Sequence, residues 1–156
     1  MKYLAFAGSP NQLICIKEFL HKNHIKNYEI YFLLSERKRV NNELETTAKI
    51  LKLKNIKKIS RRKLFIARIF EIIMFVLKIQ IKYRKKKLTF IISDFLNTFY
   101  HLLRILFNHS KFILIDDGFA TFWIFKKYFY RKKYFPDNEY SLKKSLFKII
   151  YYFNYK

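Results

Sequence analysis

The sequence predicts an α/β fold in which helices flank a parallel sheet. Four short apolar runs, each the length of a buried strand, and a fifth short segment centred on Ile56 and Ile59 alternate with four segments whose apolar residues recur at helical spacing. This alternation is typical of parallel sheets, because a parallel pair of strands needs a long crossover connection and a helix supplies it. The 156 residues suffice for one domain with a hydrophobic core.

The N-terminal segment carries the clearest boundary signals. A strand is predicted over residues 3–7, a turn over 8–11 and a helix over 12–21. Strand, tight turn and helix are the way in which a Rossmann-like domain begins. The turn lacks a G-x-G-x-x-G, so the usual dinucleotide fingerprint is absent. A helix N-terminus can still offer backbone amides to an anion or a sugar.

The middle of the chain repeats the pattern. Strands are predicted over residues 29–34, 55–60 and 88–93, and helices over 42–53 and 62–83. Asp94 follows the fourth strand and is predicted to cap a helix over 95–107, with a place on the rim of a ligand cleft as the alternative. The same two interpretations apply to Ser93.

Two acidic residues follow the predicted fifth strand. The apolar run 112–115 leads directly into Asp116, Asp117 and Gly118. In open parallel sheets ligands bind at the carboxyl ends of the strands, and a carboxylate there can take a proton from a hydroxyl. The alternative is a helix cap with a solvated turn. Consecutive side chains diverge and no histidine or third acid lies nearby, so no metal site is predicted.

Charge and composition limit the binding partners and the cellular compartment that we expect for the protein. With 33 basic and 11 acidic residues, the net charge of +22 attracts nucleic acid, anionic lipid or acidic glycans. The single cysteine, Cys15, forms no internal disulfide, which fits a reducing compartment. No signal peptide is recognised. Arg68, Glu71 and Lys78 interrupt the apolar segment 64–81, so it is not predicted to span a membrane. The expected location is the cytoplasm, and peripheral contact with the inner membrane is a further possibility for the same protein.

Two short motifs carry a resemblance to a known family. The first, in the turn after the first strand, consists of Gly8, Ser9, Pro10, Asn11 and Gln12. The second consists of Asp116, Asp117 and Gly118. In this order on a βαβ scaffold they resemble motifs of bacterial sialyltransferases of the lipooligosaccharide sialyltransferase and capsular polysialyltransferase type. Those families share a turn with proline and glutamine, an acid–acid–glycine motif and a later His-Pro motif, and the similarity covers most of this chain.

The resemblance implies a domain organisation. The His-Pro motif of those families lies in a second Rossmann-like domain that binds the donor, and none of the four histidines here precedes proline. The chain is therefore expected to be the N-terminal, acceptor-side part of a GT-B glycosyltransferase. Residues 1–135 form the acceptor-side domain, and residues 136–156 form a basic aromatic helix or the start of an interdomain connection. The donor-binding domain is expected to be absent, and activity of the chain alone is in doubt.

The resemblance also implies a reaction. Sialic acid passes from CMP-sialic acid to a cell-surface glycan acceptor, with Asp116 or Asp117 as the base that deprotonates the acceptor hydroxyl. A histidine of the missing domain assists the departure of CMP. The turn that contains Gly8, Ser9, Pro10, Asn11 and Gln12 faces the interdomain cleft and binds substrate there together with Gly118. Asp94, because of its place after the fourth strand and not because of the resemblance, is a further candidate for that cleft. No cofactor is implied besides the donor substrate, and the partner is the missing domain or a homo-oligomer.

Two alternatives stay open. One keeps the glycosyltransferase fold but changes the donor sugar, since the donor is bound by the other domain. The other is a non-catalytic basic α/β module that binds an anionic membrane or nucleic acid. Nucleic acid is the less favoured partner, because the sequence has the charge but no helix-turn-helix, zinc-finger or RNA-binding signature.

Overall fold

The computed structural model describes residues 1–59, 65–84, 86–93 and 98–115. These residues form an alternating series of strands and helices, as predicted. The elements are β1 (Lys2–Ala7), α1 (Pro10–Lys22), β2 (Tyr28–Leu33), α2 (Lys38–Ile50), β3 (Ile56–Ile59), α3 (Phe65–Tyr83), β4 (Leu88–Ile92), α4 (Thr98–Leu106) and β5 (Lys111–Leu114). The predicted segment 136–156 lies outside the described residues.

The five strands form one parallel sheet in the order β3-β2-β1-β4-β5. Tyr3 of β1 lies opposite Tyr28 of β2, and Lys2 of β1 lies opposite Leu88 of β4. The chain builds outward from β1 on one side, crosses back through α3, and then adds β4 and β5 on the other side. This is the doubly wound arrangement of a Rossmann-like fold, so the predicted α/β class is confirmed.

Helices cover both faces of the sheet. Buried residues of α1 and α2 pack on one face, and buried residues of α3 and α4 pack on the other. The alternation along β1 shows the division, because Ala5 and Ala7 face α1 while Leu4 and Phe6 face α3 and α4. All four side chains are fully buried. A strand buried on both faces reads as an unbroken apolar run, which explains why the sequence pattern located it.

Much of the aromatic content of the described chain packs around Phe6. Its ring centroid lies between 5.3 and 6.3 Å from those of five other aromatic rings. They belong to Tyr31, Phe75, Phe90, Phe99 and Tyr100. These distances are those of favourable stacked and edge-to-face pairs. The cluster joins β1, β2 and β4 to α3 and α4 on one face of the sheet.

Helices α1 and α2 begin earlier than predicted. Helix α1 begins at Pro10 rather than at residue 12, because proline fits the first turn of a helix and Ser9 caps it. Helix α2 spans Lys38–Ile50 rather than residues 42–53, and its N-cap, Arg37, makes no side-chain capping bond. With no capping side chain at that boundary, periodicity alone placed the start of α2 too late.

Helices α1 and α2 end with non-glycine residues in the left-handed conformation. His24 has φ of 52° and Lys52 has φ of 51°. Each follows a helix and is succeeded by an amide that donates back into the last turn, from Ile25 to the Leu20 carbonyl (2.9 Å) and from Leu53 to the Ala48 carbonyl (3.1 Å). This is the Schellman pattern, which usually takes glycine at the left-handed position.

Among the described residues, no helix combines the length and apolar character that crossing a bilayer requires. Helix α3 is the longest of the described helices, at 19 residues, but four charged residues interrupt it. They are Arg68, Glu71, Lys78 and Lys82.

Candidate functional site

The topological switch point of the sheet lies at its carboxyl edge, between β1 and β4. The chain leaves β1 toward β2 on one side, whereas it leaves β4 toward β5 on the other, so the loops after these two adjacent strands diverge. In doubly wound folds ligands bind at this switch point. The turn after β1 contains Gly8 and Ser9, and β4 is followed by Ser93. The structure therefore brings one of the predicted motifs to the edge that binds ligands in folds of this kind.

The turn after β1 is held by its own side chains. The amide of Gly8 donates to Oε1 of Gln12 at 2.7 Å, and the amide of Gln12 donates to Oγ of Ser9 at 3.3 Å. Ser9 is the N-cap of α1 and Gln12 stands three residues later, as in a capping box, although the glutamine here reaches one residue further back. Ser9 and Gln12 thus each contribute an oxygen atom to the structure of the turn.

This turn has less capacity for binding anions than the sequence predicted. The amides of Gly8 and Gln12 donate within the turn, and Pro10 has no amide hydrogen. Asn11 is exposed at the first turn of α1 and can offer a neutral amide to a ligand. A Cβ at Gly8 would meet Gln12 Oε1 at 3.6 Å and the Leu33 carbonyl at 3.7 Å, which are ordinary contacts. The space around Gly8 therefore does not demand glycine.

Ser93 has a structural role at the switch point. Its side chain is fully buried, and its hydroxyl donates to the carbonyl of Phe6 at 3.3 Å. The bond joins the end of β4 to β1. This bond is neither a helix cap nor a contact with substrate, so the structure gives Ser93 a role that neither interpretation named.

The predicted acids lie outside the described residues. Asp94 comes directly after Ser93, and Asp116, Asp117 and Gly118 come directly after Ile115, the last residue described. The described strands that lead to them are neighbours, because β4 pairs with β5 from Thr89 opposite Lys111 to Ile92 opposite Leu114. The amide of Ile115 still donates to the Ile92 carbonyl at 2.8 Å. The roles of the four residues stay predictions.

Sequence reasoning missed the loop after β2, which lies at the same edge. The side chain of Asn41 accepts a hydrogen bond from the Ser35 amide at 2.8 Å and donates to the Ser35 carbonyl at 2.9 Å. The Ser35 hydroxyl in turn accepts from the amide of Arg37 at 3.1 Å. These bonds close the loop and place a run of exposed basic residues beside it. Asn41, one turn into a polar helix, has no sequence signature for this role.

A second polar cluster lies at the opposite, amino edge of the sheet. Glu29 of β2 accepts hydrogen bonds from Lys57 (2.6 Å), Lys82 (2.8 Å) and the Tyr31 hydroxyl (2.8 Å), and Lys2 lies at 3.7 Å. Glu29 is only 9% exposed. The one sequence signal that could have indicated this cluster is a carboxylate at the start of an apolar strand. Its partners Lys57 and Lys82 lie 28 and 53 residues away, so the sequence does not pair them.

The electrostatics of this cluster favour the ionised form of Glu29. Burial opposes its ionisation, but hydrogen bonds from Lys57 and Lys82 outweigh burial and hold the pKa of Glu29 far below its ordinary range. Burial and the adjacent Glu29 charge raise the pKa of Tyr31. A carboxylate whose oxygens already accept several hydrogen bonds is a poor proton acceptor, so this cluster is suited to holding the fold rather than to acid–base catalysis.

No group of three or more histidine, cysteine or acidic side chains within the described ranges could hold a metal ion. Comparisons of the chain with family models, with curated proteins and with solved structures give no match. The function is therefore argued from the residues and the geometry of the chain itself.

Proposed function

We propose that this chain is the acceptor-side domain of a GT-B glycosyltransferase of the sialyltransferase type, at the cytoplasmic side of a bacterial inner membrane. The observation that carries the proposal is the sheet order, in which β1, β4 and β5 are adjacent and parallel. The three predicted site segments follow these three strands directly. A glycan that binds at their shared carboxyl edge would contact all three, which supports an acceptor cleft there.

The proposed chemistry needs one carboxylate and a set of neutral polar groups. Asp116 or Asp117 accepts the proton of an acceptor hydroxyl, and the oxygen forms a bond to the anomeric carbon of sialic acid. The bond from that carbon to the CMP phosphate breaks, and CMP leaves with the electron pair. A general acid of the donor domain protonates the departing phosphate. Asn11 offers an amide that can both donate to and accept from sugar hydroxyls.

The proposal is tested first by binding. The chain, labelled with ¹⁵N, is titrated with lipooligosaccharide-derived and capsule-derived oligosaccharides and, separately, with CMP-sialic acid. We expect an oligosaccharide to shift the amide signals of Gly8, Asn11 and Ser93 and to leave that of Lys57, at the other edge, unchanged. Asn11→Ala should weaken this binding. Oligosaccharide binding at the amino edge, or CMP-sialic acid binding at the Gly8 turn, would contradict the acceptor-side assignment.

The second test is catalytic. In a polypeptide that joins this chain to a donor domain, replacing the catalytic base by asparagine should lower transfer by a factor of roughly 10² to 10⁴, which is the usual contribution of a general base. Asp116→Asn and Asp117→Asn are measured separately, since either residue can be the base. Glu45→Gln, which changes an exposed carboxylate of α2, is the control. Full transfer by both aspartate variants would rule out the proposed mechanism.

A non-catalytic polyanion-binding module is the second candidate, and the net charge of +22 favours it. Binding through many phosphate contacts falls steeply with salt, by roughly a factor of 10³ to 10⁵ between about 50 and 200 mM. Duplex DNA that binds with this salt dependence, combined with the absence of any glycan response in the titration, would favour this candidate over the transferase.

A further inference from the structure

Helix α3 has an apolar outer face as well as an apolar inner face. Val76, Ile79 and Tyr83 are buried against the sheet. On the other side of the helix five large apolar side chains are exposed: Phe70, Ile73, Met74, Leu77 and Ile81. Their spacing of three or four residues places them in one continuous stripe roughly 16 Å long. We call this set the α3 stripe.

An exposed stripe of this kind is unusual for a surface helix. A helix that is apolar all round is normally buried on all sides, and monomers rarely expose contiguous apolar patches without a binding role. Phe70 is 62% exposed and Ile81 is 79% exposed. Within the described part of the chain nothing covers them, so the stripe calls for an apolar partner outside the described fold.

The charges around the stripe indicate the kind of partner. Lys78 lies on α3 beside Met74 and Leu77, and Arg84, Lys86 and Lys87 follow the helix; all four side chains are exposed. The single acidic residue of α3, Glu71, is partly buried. Apolar side chains flanked by long basic ones fit the interface of an anionic bilayer, where the apolar groups enter the acyl boundary and the cations meet the headgroups.

We propose that the α3 stripe docks this protein onto an anionic lipid bilayer, with α3 lying in the plane of the interface. A second copy of the chain is a poorer occupant, because two molecules that each carry a charge of +22 repel one another while an anionic surface attracts them. The inference does not depend on the proposed function. The stripe lies on the outer side of a helix that covers a face of the sheet, whereas the proposed acceptor cleft lies at the carboxyl edge.

The test must separate insertion of the stripe from simple attraction of a basic protein. The triple variant Phe70→Gln, Leu77→Gln, Ile81→Gln removes apolar surface without changing the net charge. A matched triple variant, Ile14→Gln, Ile50→Gln, Leu106→Gln, changes three exposed apolar residues elsewhere on the fold. Co-sedimentation is measured with vesicles of phosphatidylcholine alone and with vesicles of phosphatidylcholine and about one quarter phosphatidylglycerol. Circular dichroism establishes that each variant is folded.

We expect the unmodified chain and the matched variant to bind the mixed vesicles and the stripe variant to bind them at least tenfold more weakly. In about 1 M salt, which shortens the Debye length to about 3 Å, the unmodified chain should retain part of its binding and the stripe variant none. Equal binding by both triple variants would overturn the proposal. So would a dimer in lipid-free solution that the stripe variant converts to a monomer, since the stripe would then be an interface between copies.

Discussion

Glu29 shows how a single buried charge is accommodated in this fold. A carboxylate with 12% of its side chain exposed would be strongly destabilising alone, and the lysines that neutralise it come from β1, β3 and α3. Lys57 and Lys82 are each about half exposed, so their ammonium groups stay partly hydrated while they bind the carboxylate. The cluster therefore ties three strands and a helix together at the amino edge of the sheet without burying a full ion pair.

Glu29→Gln should lower the free energy of unfolding by about 2 kcal/mol at pH 7, because the neutral amide leaves the lysine ammonium groups without their counter-charge and keeps only one oxygen to accept their hydrogen bonds. The figure is below that for a fully buried pair since both lysines reach water. The control Glu45→Gln, which breaks the exposed pair with Lys58, should change stability by less than about 0.5 kcal/mol. Urea unfolding of the three proteins measures both differences.

The pH dependence of the same variant has a defined sign. The pKa of Glu29 is lower in the folded chain than in the unfolded one, so the unfolded state binds the extra proton. The contribution of Glu29 is complete above its ordinary pKa of about 4.3 and is lost as the pH falls further. The stability difference between the unmodified chain and Glu29→Gln should therefore shrink between pH 5 and pH 2. A difference that stays constant over this range would show that the carboxylate charge is not what stabilises the cluster.

At the scale of elements, the ends of α1 and α2 carry strain that the sequence composition imposes. The chain has only two glycines, so the left-handed positions after these helices are occupied by His24 and Lys52. An L-residue pays roughly 1–2 kcal/mol to adopt this conformation. The Schellman hydrogen bonds that satisfy the last carbonyls of each helix offset this cost.

Lys52→Gly should raise the free energy of unfolding by about 0.5–1 kcal/mol, because glycine adopts the left-handed conformation without strain. The greater conformational entropy of glycine in the unfolded chain offsets part of this stabilisation. The exposed side chain of Lys52 makes this a test of backbone conformation alone. A thermal scan should show an increase in Tm of roughly 1–4 °C. Lys54→Gly, an exposed position with an ordinary φ, should instead be neutral or lower the Tm. Equal effects of the two substitutions would contradict the strain interpretation.

At the scale of the whole molecule, the aromatic cluster around Phe6 joins three strands to two helices. Phe6 is fully buried at the centre of the sheet. Phe6→Ala should destabilise the chain by about 3–5 kcal/mol, which combines lost transfer free energy with a cavity, and the milder Phe6→Leu by about 1–2 kcal/mol. Phe70→Ala, in the exposed stripe, should lie within about 0.5 kcal/mol of the unmodified chain. Chemical unfolding measures all three, and a Phe6→Leu cost no larger than that of Phe70→Ala would contradict this account of the core.

Local signals located parts of the candidate site but not their contacts. Glycine and proline marked the turn after β1, and acids after apolar runs marked the ends of the fourth and fifth strands. That Gln12 turns back to the Gly8 amide, or that Ser93 binds the Phe6 carbonyl, has no signature in sequence. The Ser93 bond joins residues 87 positions apart, so only the assembled sheet creates it.

The sequence by itself determined the α/β class, the alternation of the nine described elements and the parallel direction of the strands, because periodicity and turn residues act over a few neighbouring positions. Only the tertiary structure decided the order β3-β2-β1-β4-β5, the Glu29 cluster and the exposure of the α3 stripe. These depend on which distant segments pack together. An apolar helix such as α3 has the same sequence pattern whether one of its sides or both are buried. In the described fold only the side that packs on the sheet is buried.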